Sequence, residues 1–388
     1  MGICIKIKGT SGIMGVKKLF GKIFSPNLNR NFKGGPVVGV DISSAVIKLI
    51  EIEPSGQGYQ VTAYGVETLP NGAVFDREIV DIEATGAALQ ALYKRSGARS
   101  RNIAVAVSGS SVISNYVDLP SSLTYKQVEA RVAVEAESII PFPLNEIYLD
   151  FSILGPNTDN ISTRVQIVAS QRDYVDRRRE VVEFAGLNPV AVDVESFAFA
   201  RAYEALINFD SDKKSKQGPS TADSEVVGIV DIGASQFTFV VIRDHVVIYS
   251  IEQPFGGRQL TEDIQRQYHL TWAEAGRAKR KGGLDEDYVQ AMLNPFKTLL
   301  MEHVKRSLRV FYSSTETNKI DKLVLSGGVS KTDGLREQVT KETGIPTLIV
   351  DLSKNVSLVH ASDRVRLSDD TPSMMLALGL SLTKARQL

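Results

Sequence analysis

Two short stretches hold the residues with the most chemistry to offer. The clearer one, Val226–Val241, reads VVGIVDIGASQFTFVV. A β-branched apolar run, too short for a helix, brings Asp231 to its end. Ile232-Gly233-Ala234-Ser235 then turns the chain into a second apolar run. Gly233 has no Cβ, so the turn can bend sharply and a phosphate can approach the backbone closely. Consecutive N–H groups in such a turn make an anion-binding concavity. Asp231 has the opposite preference, and a phosphate beside it calls for a cation between them. Mg²⁺, held by Asp231 through water and by phosphate oxygens, is the economical choice. Taken alone, the stretch reads equally well as an ordinary hairpin with a polar turn.

The chain repeats the pattern. Val37–Ile50 reads VVGVDISSAVIKLI, and Asp41-Ile42-Ser43-Ser44 corresponds to Asp231-Ile232-Gly233-Ala234-Ser235. Two strand–Asp–turn–strand units in separate halves predict duplicated lobes facing each other across a cleft, at a separation far beyond a solenoid period. A third turn follows the strand Leu323–Leu325: Ser326-Gly327-Gly328-Val329-Ser330, with Asp333-Gly334-Leu335 opening a helix. A strand–glycine turn–helix lets a flat ring lie against backbone.

In order and spacing these pieces resemble the actin, hexokinase and chaperone-ATPase superfamily. Within it they resemble the FtsA family and, more closely, the PilM family of type IV pilus assembly, over roughly residues 37–385. The resemblance implies an α/β, actin-like (ribonuclease H-like), two-lobed ATPase fold with an FtsA-type inserted subdomain in the first lobe. It implies ATP or ADP with Mg²⁺ between the lobes, Asp41 and Asp231 facing the metal from opposite sides. Ser43, Ser44, Gly233, Ala234 and Ser235 are the expected phosphate contacts, and Gly327 and Gly328 lie against the base. Lys48, Gly256, Gly257 and Val329 complete the candidate nucleotide set. Ala278-Lys279-Arg280 resembles the superfamily's adenosine-contacting helix, which makes Lys279 a candidate, although Gly276 stands where a glutamate is usual and Glu274 is nearby. Glu195, at the start of a helix matching the crossover between lobes, either orients water at the terminal phosphate or favours the first turn of its own helix. No arginine is placed by sequence to stabilise a transferring phosphoryl group.

The implied partner is a PilN-like inner-membrane protein, docking its N-terminal cytoplasmic tail beside the inserted subdomain. Membrane contact would then be indirect, with the chain cytoplasmic and peripheral at the inner membrane; self-association stays open. Two other functions fit the same fold. A filament-forming FtsA-like ATPase leaves no compact sequence signature. A small-molecule kinase needs a base and an acceptor pocket, and beyond Glu195 no further carboxylate stands in a recognisable motif.

Composition narrows the field. At 388 residues the chain exceeds one ordinary core. With 45 basic and 45 acidic residues it lacks the basic footprint of a nucleic-acid binder. Cys4 is the single cysteine, so no intramolecular disulfide framework exists. His245, His269, His303 and His360 are scattered without ligand spacing. No apolar run reaches the length of a membrane span.

The elements that must position these residues follow in order. Residues 1–35 form a basic tail in which Val16, Leu19, Phe20, Ile23 and Phe24 predict a short amphipathic helix, ended by Pro26. It reads as a frayed tail, a lid or a membrane-surface segment, and Met14 is a candidate natural start. Residues 36–100 and 172–207 are expected to form the first lobe's core, with strands at 37–42, 45–53 and 59–67 and a helix at 83–96. Residues 101–171 are assigned to the inserted block: a strand at 101–109, a helix at 123–140 and strands near 147–154 and 164–170. Tyr174–Ala185 reads as a helix with Arg177, Arg178 and Arg179 on a solvated face. A polar linker spans 208–224, the second lobe's core 225–255 and 321–388, and its smaller subdomain 256–320. There Asn294 and Pro295 predict the start of a fresh helix, and the last helix, 374–382, carries Gly379.

Overall fold

The computed structural model describes residues 4–5, 36–55, 58–157, 160–209, 225–244, 246–282, 284–285, 287–351, 357–358 and 370–383. The amphipathic stretch, Met14, most of the polar linker, His245 and His360 lie outside these residues. Two compact units emerge: residues 1–205, 357–359 and 376–388 form unit 1, and residues 206–356 and 360–375 form unit 2, each over its described part.

Unit 1 begins with β1 (Cys4–Ile5), β2 (Val38–Ile42), β3 (Val46–Ser55), β4 (Gly58–Thr68), the short β5 (Val74–Phe75) and β6 (Glu78–Ile79), and α1 (Ile82–Ser96). Next come β7 (Asn102–Val107), β8 (Val112–Pro120), α2 (Tyr125–Ile139), β9 (Ile147–Pro156), β10 (Ser162–Gln171), α3 (Arg172–Phe184), β11 (Asn188–Val194) and α4 (Glu195–Phe209). Its main sheet runs β1-β11-β7-β2-β3-β4, and β17 (Ser357–Leu358) adds to β4. β2, β3 and β4 form an antiparallel meander, while β7 and β11 lie parallel on the other side of β2. Near-continuous apolar strands such as Val38–Val40 and Ile103–Val107 are what a sheet buried on both faces requires.

The strand at 102–107 belongs to this main sheet, between β11 and β2, and not to the inserted block, contrary to the assignment of 101–171. Alternating apolar residues specify a strand but not the sheet it joins. The separate three-stranded sheet is instead β8-β10-β9, with α2 closing a core of Val128, Val132, Phe151, Val165 and Ile167. Ile103, Val105 and Val107 are buried in the main sheet.

Unit 2 holds β12 (Val226–Ile232), β13 (Phe237–Arg243), β14 (Val246–Gln253), α5 (Gly257–Tyr268), α6 (Trp272–Lys281), α7 (Asn294–Ser314), β15 (Lys322–Ser326), α8 (Leu335–Thr343) and β16 (Thr347–Ile349). The sheet order is β14-β13-β12-β15-β16, with the β12–β13–β14 side antiparallel and the β15–β16 side parallel. This repeats the β4-β3-β2-β7-β11 plan of unit 1. Residues 256–320 share one continuous core with the sheet, in which Leu260, Leu300, Val304 and Phe311 pack with Val230 and Phe239. Pro295 stands in the first turn of α7, but Asn294 is already helical: the chain enters through a π-helical turn, Val289–Leu293, so no extended residue is left to act as the cap.

The last helix, α9 (Met375–Ser381), belongs from Leu376 onward to unit 1, contrary to the assignment of 321–388 to the second lobe's core. Glycine decides this packing. A Cβ at Gly39 would fall 1.9 Å from the Ala377 carbonyl oxygen, and one at Gly379 would fall 1.8 Å from that of Ala198. The missing side chains let α9 press directly on β2 and α4.

Candidate nucleotide site

The two Asp-bearing hairpins share one turn. Ser43 N–H donates to the Val46 carbonyl at 3.1 Å, and Gly233 N–H donates to the Gln236 carbonyl at 2.9 Å. Asp41 faces Lys48 across its hairpin, and Asp231 faces Thr238 across the other. The correspondence is therefore one to one: Ser43 with Gly233, Ser44 with Ala234, Ala45 with Ser235. Ser43 Oγ also donates to the Val46 carbonyl at 2.8 Å, so this hydroxyl is occupied in locking its own turn.

The chemistry of the two aspartates differs. Asp41 is 5% exposed and takes an ion pair from Lys48 Nζ at 2.8 Å. Asp231 is half-buried at the end of β12. Among the described residues no three His, Cys, Asp or Glu side chains gather to hold a metal. In each hairpin a single carboxylate stands beside the turn, and Asp41 is already paired with Lys48. That donor set fits Mg²⁺ only where phosphate oxygens and water supply most of its shell.

Unit 2 builds a cradle around its hairpin turn from two glycine-bearing loops. Gly257 N–H donates to the Gly233 carbonyl at 3.0 Å, Arg258 N–H to that of Ala234 at 2.7 Å, and Val329 N–H to that of Ile232 at 3.2 Å. A Cβ at Gly256 would lie 2.5 Å from the Ala234 carbonyl oxygen. One at Gly327, where φ is +87°, would lie 2.3 Å from that of Ile232. Only glycine lets these backbones close on the turn. Gly328 meets nothing within 4 Å, which leaves its backbone face open. Gly233, Ala234, Ser235, Gly256, Gly257, Gly327, Gly328 and Val329 thus come together.

Lys279 joins them from α6. Its Nζ donates to the Gly257 carbonyl at 2.7 Å and to Thr261 Oγ1 at 2.6 Å. Burial, with a smaller contribution from the Arg280 charge, lowers its pKa to about 8. Nearby Glu274 serves its own helix instead. Its carboxylate accepts from Thr271 N–H at 2.8 Å and from the Thr271 hydroxyl, capping α6. Sequence reading missed two neighbours, Thr261 and Arg258, the latter stacked over the Trp272 ring at 5.4 Å. Neither lies in a recognisable motif.

Glu195 opens α4 in unit 1, buried, with Oε1 ion-paired to the Arg77 guanidinium. Arg77 stands 118 residues earlier and carries no sequence signal. The reading of Arg178 as solvated is also corrected. It is 4% exposed and donates to the carbonyls of Ala106, Tyr174 and Arg77, because α3 packs where those three carbonyls converge.

Among solved structures, the PilM–PilN type IV pilus biogenesis complex is similar at 26% identity, over 91% of this chain and 99% of that one, with a TM-score of 0.72. The ethanolamine utilization protein EutJ from Carboxydothermus hydrogenoformans shares the fold at 16% identity, over 91% of each chain, with a TM-score of 0.51. The fold is the actin-like ATPase fold. The family model of the type IV pilus assembly protein PilM matches residues 39–385, nearly the whole chain, and the chain belongs to that family.

Proposed function

We propose that this chain binds an adenine nucleotide, ATP or ADP, and acts as a cytoplasmic scaffold of the type IV pilus inner-membrane platform. The observation that carries the reading is the cradle in unit 2. Gly256 and Gly327 admit no side chain, Gly328 stays open, and a half-buried lysine of lowered pKa points at the same loops. Asp231 would hold Mg²⁺ through water, and the ion would offset phosphate charge that the hairpin alone does not balance. Asp41, Lys48, Ser43 and Ser44 form the matching hairpin of unit 1, where Lys48 offers the counter-charge directly. Hydrolysis is expected to be slow, since the one candidate water-orienting carboxylate, Glu195, is already held by an arginine.

Titration calorimetry tests the nucleotide reading. Asp231→Ala should weaken ATP binding in magnesium by roughly tenfold or more, about 1.4 kcal/mol. Wild-type affinity in that variant would overturn the assignment.

The partner rests on likeness to the solved complex of PilM with PilN. The proposed ligand is the N-terminal cytoplasmic tail of a PilN-like inner-membrane protein, so that the chain is peripheral to the membrane. Among the described residues no helix is long and apolar enough to cross one. The docking element we favour is β8, an outer strand of the β8-β10-β9 sheet. An extended tail can pair with such an edge through its main chain while alternate side chains are buried. A fluorescent peptide of the partner's tail, titrated against the intact chain and against a deletion of 112–170, tests this. The deletion spares β7, and circular dichroism must show that the product is folded. A folded deletion that binds the peptide as tightly as the intact chain rules the block out.

A further inference from the structure

The strand ends beside the two candidate turns differ along a whole row, not only at the aspartate. In unit 1 the row reads Asp41, Lys48 and Val66 across β2, β3 and β4. In unit 2 it reads Asp231, Thr238 and Glu252 across β12, β13 and β14, and Ser326 follows on β15. Register partners share a face of the sheet, so each row lines up on one side. Where unit 1 has a lysine, unit 2 has a hydroxyl; where unit 1 has a valine, unit 2 has a carboxylate. The unit 1 row balances its charge within itself, whereas the unit 2 row carries two carboxylates and no basic side chain.

The hydroxyl between those carboxylates is the second observation. Thr238 is 1% exposed, and its Oγ1 has no hydrogen-bond partner among the described residues. Burying a hydroxyl without a partner is costly, so one kept in a native fold calls for an explanation. Among the described residues of unit 2 the other such side-chain atom is Arg258 Nε, and it too borders the turn, since Arg258 N–H holds the Ala234 carbonyl. Ser326, by contrast, is satisfied: its Oγ donates to the Pro372 carbonyl at 2.8 Å. Glu252 is tied to the turn through Gln236, whose Nε2 donates to its Oε2 at 3.4 Å.

We propose that Asp231, Thr238 and Glu252 form one cation-binding row, with Glu252 the second carboxylate for the Mg²⁺ that accompanies nucleotide. The inference rests on the nucleotide-binding reading above and adds a residue that no sequence motif marks. Oxygen donors alone suit a hard cation, and Mg²⁺ keeps several waters when protein carboxylates hold it. Strands two apart in a sheet lie about 9.6 Å from each other. A Mg²⁺ ion with waters at about 2.1 Å, each donating across about 2.7 Å, spans the same gap. Both carboxylates therefore hold the ion through water. Thr238 is a positioning residue. Cross-strand side chains start only about 5 Å apart, so a carboxylate drawn toward the ion comes within reach of the Thr238 hydroxyl, which donates to it. The hydroxyl gains its partner only in the loaded state, and that gain adds to the affinity for the ion.

Calorimetric titration of ATP into the intact chain, at a series of Mg²⁺ concentrations and in EDTA, tests the row. Glu252→Gln should raise the Mg²⁺ needed for half-maximal affinity by about tenfold, without weakening the binding seen in EDTA. Thr238→Val, which keeps the shape and removes the hydroxyl, should raise it by about threefold to tenfold. The double variant should cost less than the product of the two, because both changes act on one ion. Glu252→Asp, which keeps the charge but shortens the reach, should fall between wild type and Glu252→Gln, and it decides the matter should the glutamine variant not fold. A merely structural row would weaken ATP binding equally with and without Mg²⁺, or not at all; either result in a folded variant overturns the proposal. Failure of the wild type to bind ATP in magnesium overturns the nucleotide reading itself, and the row with it.

Discussion

The hairpins at Asp41 and Asp231 close the same turn with the same main-chain hydrogen bond, yet they are not chemically equivalent. In unit 1 the aspartate is buried against Lys48, so its charge is compensated within the hairpin. In unit 2 the position opposite Asp231 is Thr238, whose buried hydroxyl has no hydrogen-bond partner among the described residues. Glycine use differs in step. Gly39 gives up its side chain so that α9 can pack, whereas Gly256 and Gly327 give up theirs so that loops can close on the turn. Duplication preserves the backbone frame, and divergence of one cross-strand residue sets whether the facing strand supplies a cation to the aspartate. The hairpin whose facing strand supplies none is the one surrounded by a cradle.

The largest effect expected from this contrast is on stability. Lys48→Met leaves the Asp41 carboxylate buried without its cation, which should cost roughly 3 kcal/mol. Asp41→Asn in the same chain should return most of it. The matched change in unit 2, Thr238→Val, removes an unsatisfied hydroxyl and should shift stability by less than about 1 kcal/mol. Denaturant unfolding of the single and paired variants measures both. Equal effects in the two hairpins would break the comparison.

A smaller effect concerns pH. Lys279 has its pKa lowered to about 8 by burial, so it is charged below that value and neutral above it. Nucleotide affinity should therefore fall as the solution is taken from neutral pH to above that pKa, and Lys279→Met should flatten the profile. For folding the sign is opposite. A lysine depressed in the native state weighs against folding while it is charged, and stability recovers as pH rises from about 8 toward the unfolded value. A pH-independent affinity in the wild type would remove Lys279 from the site.

Much of the frame is legible in the sequence. β-branched runs mark β2, β3 and β12, and the boundaries of α6 fall at Trp272 and Lys281 because Thr271 and Glu274 cap its start and Gly282 follows its end. What stays hidden is long-range. β8 escapes a pattern search because Ser114, Asn115 and Asp118 break its apolar run, and β7 then fills its place in the inserted block. Arg178 looks solvated because three arginines in a row on a helix say nothing about carbonyls contributed by residues 77 and 106. The cradle is legible as separate glycines, but that Gly256 and Gly327 both close on residues 232–234 is a tertiary fact. Arg77 shows the limit most plainly, since its partner lies 118 residues away.

The glycine contacts of α9 have a consequence for how the molecule is made. Arg201 reaches across 178 residues to the Gly379 carbonyl and across 182 to the Thr383 hydroxyl, and Thr383 also bonds the buried Asp193 across 190. Such contacts must close very long loops before they stabilise anything. During synthesis the sheet of unit 2 has all its described strands once residue 349 has emerged. Unit 1, begun first, still lacks the helix that covers Gly39. The half of the protein that leaves the ribosome first is therefore the half completed last, and its exposed sheet face must stay soluble while about 170 further residues are added.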